Sequence, residues 1–285
     1  MTGWAGFGIL SLCALALLVV LQTVTFAIGY RIGRFNVVDV TWGVGFVAVA
    51  WLALILGGGD ATRRWILAVG VSVWGLRLAW HMLQKSKGKG EDPRYEEMLE
   101  RSGGNGFAVV ARKIFATQGA AQWFVSLPIQ VSAVAGPTPA WGWIVSGLGI
   151  AVFVVGLCFE AVGDAQLRTF KADPANKGKV MDRGLWAWTR HPNYFGDASV
   201  WWGIWLVAAS SGGMLTGSTA IAFPGVLTIL SPVVMTYFLV FATGARLLEK
   251  SMSKRPGYPE YQQRTSYFIP RPPKRNPTAD SVVRS

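Results

Sequence analysis

Residues 6–30 read GFGILSLCALALLVVLQTVTFAIGY and contain no charged side chain. An apolar run of this length matches the roughly 20 residues that an α-helix needs to cross a bilayer. No charged segment precedes it, and it is too long for the apolar part of a signal peptide, so it predicts a retained first membrane helix. The whole chain agrees, since 52% of its residues are hydrophobic and only 15% are charged.

Further apolar runs follow, with Gly and Pro residues at the junctions where the chain must turn. The predicted spans are about 6–30, 38–57, 65–83, 119–135, 141–162, 197–211 and 220–243. The sequence therefore predicts an all-α, polytopic membrane protein with about seven transmembrane helices. We expect residues 1–271 to form a single seven-helix domain and residues 272–285 to form a disordered basic tail.

The placement of the cations predicts the orientation of the chain, whose net charge is +12. With the N-terminus outside, all but three of the 27 Lys and Arg residues fall in cytoplasmic segments, the exceptions being Arg63, Arg64 and Arg77. This bias fits the positive-inside rule. It places the C-terminus in the cytoplasm, and the short uncharged outer loops suit a bacterial inner membrane. Cationic loops that face anionic lipid explain the charge without a nucleic-acid partner, because no nucleic-acid-binding module is recognisable.

Several ionisable side chains lie within or beside the predicted spans, where an unpaired charge costs about 2.5–3.5 kcal/mol on insertion scales. They are Asp39, Arg77, His81, Glu160 and Asp164. Glu160 and Asp164 are four residues apart, and Arg168 and Lys171 continue the same helical stripe. The stripe predicts either a cleft for a polar, phosphate-bearing cofactor or a solvated helix end with an ion pair.

Residues 183–197 read RGLWAWTRHPNYFGD and form the densest polar and aromatic cluster of the chain. Pro192 breaks the backbone just before the sixth span, and Asn193 is a candidate N-cap. A helix N-terminus there offers N–H groups to a phosphate or an amide, and Arg190 and His191 add cationic donors. The alternative is an interfacial belt of Trp, Tyr and Arg side chains.

Two more segments carry polar residues. Residues 87–95 read KGKGEDPRY, which predicts a turn followed by a charged helix, with Tyr95 as a candidate proton donor near the membrane surface. Residues 249–270 include Tyr258 and Tyr261, and they either wrap back to close a pocket or attach the tail.

No metal site is predicted. The two histidines, His81 and His191, form no paired motif, and Cys13 and Cys158 lie apart inside apolar runs. Neither a metal-ligand set nor a redox pair follows from such spacings. No Walker loop or Rossmann fingerprint is present either, so any nucleotide must bind to membrane helices and their loops.

Short motifs are distributed along most of the chain. They are VDVTWG at 38–43, WGLR at 74–77, GKGEDPRY at 88–95, RHPNYFGD at 190–197, GYPEY at 257–261, RTS at 264–266 and IP at 269–270. In this order and spacing they resemble the steroid 5-alpha-reductase-like superfamily, and most closely its bacterial branch known as domain of unknown function 1295. The resemblance implies a seven-helix fold that binds NADPH on its cytoplasmic side and reduces an activated carbon–carbon double bond.

The resemblance also implies a set of cofactor-binding residues. They are Asp164, Arg168 and Lys171 on the fifth helix, Asn193 and Asp197 on the sixth, and Arg246, Tyr258 and Tyr261 near the C-terminus. Arg190, His191 and Tyr194 complete the candidate set.

The substrate-binding side departs from the steroid enzymes. Those enzymes polarise the substrate carbonyl with a Glu and a Tyr on the second and third helices, and this sequence has no unambiguous match for that pair. The nearest catalytic candidates are Asp39, His81 and Tyr95. We therefore expect a lipophilic substrate from the bilayer, either a steroid-like enone or an enoyl lipid. The oligomeric state stays open.

Two other functions remain open. The pattern Arg-His-Pro-x-Tyr-x-Gly also occurs in membrane methyltransferases of the isoprenylcysteine type, where it serves S-adenosylmethionine. The element at 88–95 and the seven-span plan favour the reductase. The third possibility is a lipid-binding membrane protein without enzymatic activity.

Overall fold

The computed structural model describes residues 1–214 and 224–274, and these are built mainly from α-helices. The helices are α1 Gly3–Ile32, α2 Val37–Leu56, α3 Ala61–Ser86, α4 Pro93–Arg101, α5 Phe107–Val110, α6 Thr117–Val125, α7 Leu127–Val134, α8 Ala140–Ala172, α9 Leu185–Trp188, α10 Pro192–Ala209, α11 Leu230–Tyr237, α12 Ala245–Met252 and α13 Tyr258–Arg264. A π-helical turn joins α5 to α6, and another joins α11 to α12. Within the described ranges no β-strand occurs, so the all-α prediction is confirmed.

Within the described residues, five helical segments are long and apolar enough to cross a membrane, by length and composition. They are Gly3–Ile32, Val37–Leu56, Ala61–Ser86, Ala140–Ala172 and Pro224–Met252. Large apolar side chains on their surfaces are exposed, for example Leu12 at 68% and Ile144 at 77%. Exposed apolar surface of this extent marks contact with a membrane. The protein is therefore a multi-pass membrane protein.

The count of seven spans stays a prediction. The span predicted at 119–135 is interrupted at Ser126, where α6 ends, and α7 starts again with Pro128 in its first turn. Proline lacks the N–H that an interior helical position needs, which explains the break. The span predicted at 197–211 lies mostly in α10, and the one predicted at 220–243 begins on residues outside the described ranges.

The chain divides into two compact units. Unit 1 comprises Met1–Gly147 and Ile204–Ser231, and unit 2 comprises Leu148–Gly203 and the chain from Pro232 onward. Helices α8 and α10 contribute residues to both. The single domain predicted over 1–271 stays a prediction. Of the tail predicted at 272–285, the residues from position 275 onward lie outside the described ranges.

In unit 1, α2 and α3 pack at backbone distance. A Cβ atom on Gly43 would lie 2.2 Å from the carbonyl oxygen of Gly75, and one on Gly75 would lie 2.7 Å from that of Gly43. Small residues allow membrane helices to approach this closely. The contact lies one helical turn from Asp39, so it fixes the part of α2 that carries this carboxylate.

The first turn of α3 carries a fully buried arginine, Arg63. Its Nε donates to Ser132 Oγ at 2.8 Å, and its Nη1 donates to Thr138 Oγ1 at 2.6 Å. Its Nη2 reaches the carbonyl oxygens of Ser132, Ala135 and Gly136 at 3.0–3.2 Å. Arg63 therefore ties α3 to the turn that follows α7.

Replacing Arg63 by alanine is expected to destabilise unit 1 by at least about 1–3 kcal/mol, the usual cost of leaving one buried acceptor without its donor. The carbonyl and hydroxyl groups that it serves would lose their donor away from water. Thermal unfolding of the purified protein in detergent measures the loss. The matched control is Arg64→Ala, because Arg64 is half-buried and serves two carbonyl oxygens. Equal melting temperatures for the two variants would contradict the assignment.

Candidate functional site

In unit 1, the Gly-rich segment after α3 docks on the start of α2 through the carboxylate of Glu91. Glu91 accepts hydrogen bonds from the backbone N–H of Phe35 and, at 2.9 Å, from those of Asn36 and Asp92. The side-chain amide of Asn36 donates to the carbonyl oxygen of Gly90 at 3.1 Å. Backbone N–H groups at a helix N-terminus are ready partners for a carboxylate. Glu91 thereby holds the residues that follow it against α2.

Asp92 is the N-cap of α4 and also fixes Arg94. Its Oδ1 accepts hydrogen bonds from the backbone N–H and the Nε of Arg94 at 3.0 Å, and its Oδ2 accepts one from Nη2 at 2.8 Å. Burial opposes the charged carboxyl, but the hydrogen bonds and the charge of Arg94 lower the pKa of Asp92 below its usual value. Asp92 is therefore ionised, and it holds Arg94 Nη2 at 3.3 Å from Oδ2 of Asp39.

Tyr95 donates its hydroxyl to Oδ1 of Asp39 at 2.6 Å. The tyrosine is 9% exposed, and the side chain of Asp39 is 21% exposed. Burial, and then the charge and hydrogen bond of Asp39, raise the pKa of Tyr95 well above its usual value. Tyr95 therefore keeps its proton and remains a hydrogen-bond donor. The structure brings together two of the three predicted catalytic residues, and it places the third, His81, half-buried on α3.

An apolar cluster in unit 1 holds the ring of Tyr95. It joins residues from α1, the turn before α2, the start of α2, α4, α5 and the π-helical turn: Phe26, Phe35, Val38, Leu99, Val110, Ile114 and Phe115. Phe26 and Phe115 contact edge to face, with ring centroids 5.3 Å apart. The cluster leaves Tyr95 little room to change rotamer, so its hydroxyl stays directed at Asp39.

In unit 2, α8 and α10 pack along a seam of glycines spaced seven residues apart. A Cβ atom on Gly156 would lie 2.6 Å from the carbonyl oxygen of Gly196, and one on Gly203 would lie 2.7 Å from that of Gly149. Seven residues make nearly two helical turns, so the glycines of each helix share one face. The seam brings the start of α10 against the polar stripe of α8.

Four polar side chains line this contact between α8 and α10. Glu160, Asp164 and Asp197 are 3%, 7% and 8% exposed, and the Asn193 amide donates to Asp164 Oδ1 at 3.2 Å. The N-cap prediction for Asn193 is wrong: α10 begins at Pro192, since proline suits the first helical position, where no N–H bond is made. Buried carboxylates in membrane helices mark functional sites, so this acidic cluster is the polar centre of unit 2.

Glu249 on α12 is the centre of a second polar cluster in unit 2. Its carboxylate accepts two hydrogen bonds from Arg190, through Nε at 2.6 Å and Nη2 at 3.2 Å. It also accepts from His191 Nε2 at 3.1 Å, Tyr258 Oη at 3.0 Å and Gln262 Nε2 at 2.5 Å. Burial, followed by the charge and hydrogen bond of Glu249, raises the pKa of Tyr258. Tyr258 therefore stays protonated and donates to this carboxylate.

The C-terminal segment folds back onto the residues just before α10. The backbone N–H of Arg190 donates to the carbonyl oxygen of Ser266 at 2.9 Å, and the hydroxyl of Thr189 donates to that of Phe268 at 2.8 Å. The predicted cofactor residue Tyr261 donates to the carbonyl oxygen of a residue in α9 at 2.6 Å. The motifs at 190–197 and 257–261, far apart in sequence, therefore meet in unit 2.

Comparison with known proteins identifies the family. A family model described as "Protein of unknown function (DUF1295)" matches residues 25–265. The chain belongs to this family. The predicted membership of the 1295 branch is thereby confirmed, whereas the wider superfamily rests on the motif resemblance.

Two curated proteins match parts of this DUF1295 member. The "Probable O-methyltransferase ustE" of Ustilaginoidea virens is 41% identical over 75 residues, which cover 26% of this chain and 25% of that protein. An uncharacterised protein of Schizosaccharomyces pombe is 28% identical over 167 residues, covering 52% of this chain and 45% of that protein. The alignments thus span less than half the length of either relative. No solved structure matches.

Arg190, a predicted phosphate ligand, is largely occupied by the fold. Besides its two bonds to Glu249, its Nη1 donates to the carbonyl oxygens of Gln262 and Thr265 at 2.9 and 2.8 Å. This geometry favours a structural role that joins α12 and α13 to the start of α10. His191 shares Glu249 and stacks on Tyr194, with ring centroids 5.8 Å apart.

The other predicted cations of unit 2 are more exposed to solvent than Arg190. Arg168 and Lys171 near the end of α8 and Arg246 on α12 are exposed. The stripe predicted on α8 therefore runs from buried acids at Glu160 and Asp164 to exposed cations. Exposed cations beside a buried polar cluster suit a ligand with anionic and hydrogen-bonding parts.

Three residues that build these sites were not predicted from the sequence. Glu91 and Arg94 lie in the recognised motif at 88–95, but nothing in the motif shows which partners they take. Glu249 had a clearer signal, because it is the one acid among the basic residues of 246–255. A lone carboxylate in so basic a segment indicates a partner to the charges around it.

Proposed function

We propose that this protein is an NADPH-dependent membrane reductase of an activated carbon–carbon double bond in a lipophilic substrate, such as a steroid-like enone or an enoyl lipid. The observation that carries the proposal is the Asp39–Tyr95 pair of unit 1. A carboxyl group hydrogen-bonded to a buried tyrosine supplies the two functional groups with which the steroid enzymes polarise a carbonyl. Here aspartate takes the place of glutamate.

The cofactor assignment rests on unit 2. NADPH carries several phosphate groups, and arginine binds phosphate through two parallel hydrogen bonds. Arg168, Lys171 and Arg246 are exposed and supply the cations, and the Asp164–Asn193 pair supplies groups that bond an amide or a ribose. The residues present fit such a cofactor. S-adenosylmethionine bears no phosphate, and its single carboxylate would engage fewer of these cations.

The residues of the chain act at the carbonyl oxygen of the substrate. When bound, NADPH supplies the hydride for the β-carbon. The Tyr95 hydroxyl donates a hydrogen bond to the carbonyl oxygen and stabilises the negative charge that develops there. The apolar cluster around the ring excludes water, which strengthens that interaction. Asp39 positions the hydroxyl.

The second candidate is an S-adenosylmethionine-dependent membrane methyltransferase of the isoprenylcysteine type. The observation in its favour is the 41% identity over 75 residues to a protein named as a probable O-methyltransferase. The motif at 190–197 is compatible with both cofactors, so the choice depends on which of them binds. No comparable observation favours a non-enzymatic lipid-binding role.

Cofactor binding tests the proposal. NADPH, but neither NADH nor S-adenosylmethionine, is expected to raise the melting temperature of the purified protein in detergent. A ligand present at a hundredfold excess over its Kd stabilises the protein by about 2.7 kcal/mol. Arg168→Ala is expected to weaken NADPH binding about 10- to 100-fold, because a charge-assisted hydrogen bond contributes about 1.5–3 kcal/mol.

The control for that variant is Arg255→Ala, which removes another exposed arginine of unit 2. It is expected to bind NADPH like the wild type. A shift with S-adenosylmethionine alone would overturn the reductase and establish the methyltransferase. Unchanged NADPH binding by Arg168→Ala would show that the phosphates lie elsewhere.

A further inference from the structure

We propose that Arg94 is a positioning residue that keeps the Asp39 carboxyl ionised in the resting protein, so that the Asp39–Tyr95 pair takes up one proton when a substrate carbonyl binds. The catalytic meaning of this device rests on the proposed reductase function. The charge state of the resting pair is a property of the protein alone and is measured without substrate or cofactor.

The hydrogen bonds around Asp39 are those of a carboxylate. Tyr95 donates to its Oδ1 at 2.6 Å, and Arg94 Nη2 lies 3.3 Å from its Oδ2. Both oxygens therefore accept, and neither is placed as a donor. Asp92 orients the guanidinium of Arg94 through two bonds, from Nε at 3.0 Å and Nη2 at 2.8 Å, and it also accepts the backbone N–H of Arg94. Burial favours the neutral carboxyl, and the adjacent guanidinium favours the ionised one.

Other titratable groups near Asp39 also influence its charge state. The groups that interact with it are Arg94 and Tyr95 on α4, Asp92 at its N-cap, and Lys85 near the end of α3. Arg94 neutralises Asp92 while it pairs with Asp39. Removal of Arg94 would leave Lys85 beside the two carboxyl groups of Asp39 and Asp92. Two neighbouring carboxyl groups with too little compensating positive charge favour protonation of one of them.

In this geometry, the Asp39–Tyr95 pair needs one additional proton before Tyr95 can donate to a substrate carbonyl. Tyr95 has a single hydroxyl proton, which lies on its bond to Asp39 in the resting state. If that proton turns to a substrate oxygen, the lone pairs of Tyr95 Oη face a carboxylate oxygen at 2.6 Å. This contact is repulsive unless Asp39 carries a proton to donate in return. Binding of a carbonyl therefore draws one proton into the pair.

The proton and electron balance of the proposed reaction follows from this state. As the β-carbon accepts hydride, the electron pair of the carbon–carbon double bond forms a new double bond between the α-carbon and the carbonyl carbon. The carbonyl electron pair moves to the oxygen, which takes the proton of Tyr95. Tyr95 takes the proton of Asp39, and Asp39 returns to the ionised form beside Arg94. The enol then loses its oxygen proton to water while its α-carbon gains a proton from water. The substrate has gained one hydride and one proton.

Infrared difference spectroscopy of the purified protein in detergent, titrated with pH, tests the proposal. The carbonyl stretch of a protonated Asp39 is assigned by its loss in Asp39→Asn. In Arg94→Gln this band is expected to persist to a pH about 1–3 units higher than in the wild type, the usual effect of a neighbouring cation on a carboxyl group. The sign follows because removal of a cation makes protonation easier.

Two further variants separate charge from structure. Arg94→Lys keeps the cation and is expected to restore a midpoint near that of the wild type. Arg101→Gln is the matched control on α4, because Arg101 is 72% exposed and pairs only with Glu97 among the ion pairs of the described residues; its midpoint is expected to be unchanged. Equal midpoints for Arg94→Gln and the wild type would overturn the proposal. Failure of the protein to bind NADPH or reduce an enone would overturn the proposed function and leave this titration intact.

Discussion

Replacing Tyr95 by phenylalanine is expected to lower kcat for enone reduction by about 10²- to 10⁴-fold, the usual contribution of a positioned proton donor. The loss corresponds to about 3–5 kcal/mol of transition-state stabilisation. The substitution removes the hydroxyl that bonds Asp39 at 2.6 Å and keeps the ring that fills the apolar cluster. The fold and NADPH binding are therefore expected to be retained. NADPH oxidation with a 4-en-3-one steroid and with a 2-enoyl lipid as probes measures the rate.

The matched control is Tyr30→Phe in α1. Tyr30 is 50% exposed, and its ring packs beside Phe26 of the same cluster, with centroids 5.6 Å apart. The same atom is removed from the same type of residue, so kcat is expected to stay within twofold (on the order of 0.4 kcal/mol). If Tyr95→Phe retained the kcat of the wild type with either probe, Tyr95 would not be the carbonyl donor.

The fold was predictable where one physical rule dominates. Long apolar runs such as 6–30 have no soluble alternative, so α1, α2 and α3 begin and end within about four residues of the predicted spans. Helix α8 continues to Ala172, beyond the predicted end of its span at 162. The run at 119–135 shows the limit of this rule. The apolar character of its side chains does not reveal that Pro128 interrupts the backbone bonds, and the run forms two helices that meet at Ser126.

The site was predictable only in outline. Asp39 and Tyr95 were each recognised as a buried or interfacial ionisable group, but spacing along the chain does not reveal that α4 returns to the first turn of α2. The position of α4 depends on Glu91, which accepts hydrogen bonds from backbone N–H groups. Every residue except proline has such a group, so the sequence does not indicate which of them Glu91 bonds. Arg190 shows a different limit of the sequence. Its type and its place before α10 suggested a phosphate ligand, whereas its partners, Glu249 and two backbone carbonyls, become visible only when the chain folds back.

The glycines of the seam in unit 2 are visible in the sequence, but the sequence does not show which helices they bring together. Gly149, Gly156 and Gly163 lie seven residues apart on α8, and Gly196 and Gly203 repeat the interval on α10. Glycine is common in membrane helices for several reasons, so the spacing alone does not identify a partner helix. The close approach of the two backbones identifies it.

Replacing Gly156 by leucine is expected to destabilise the protein beyond the about 1–3 kcal/mol of ordinary overpacking. The new Cβ would lie 2.6 Å from the Gly196 carbonyl oxygen and 2.7 Å from the Val200 amide nitrogen. These obstacles are backbone atoms and cannot rotate aside as a side chain can. To accept leucine, α8 and α10 must separate, which would also part Asp164 from Asn193.

The same substitution at Gly147 of α8 is the control, because nothing lies within 4 Å of a Cβ atom there. Leucine favours a helix over glycine by about 0.5–1 kcal/mol, so Gly147→Leu is expected to melt at or slightly above the temperature of the wild type. Gly156→Leu is expected to yield little monodisperse protein in detergent, and what is recovered should melt well below the wild type without a shift on addition of NADPH. If both variants melted alike, steric closeness at the seam would not hold α8 and α10 together. The acidic cluster between them would then need another explanation for its burial.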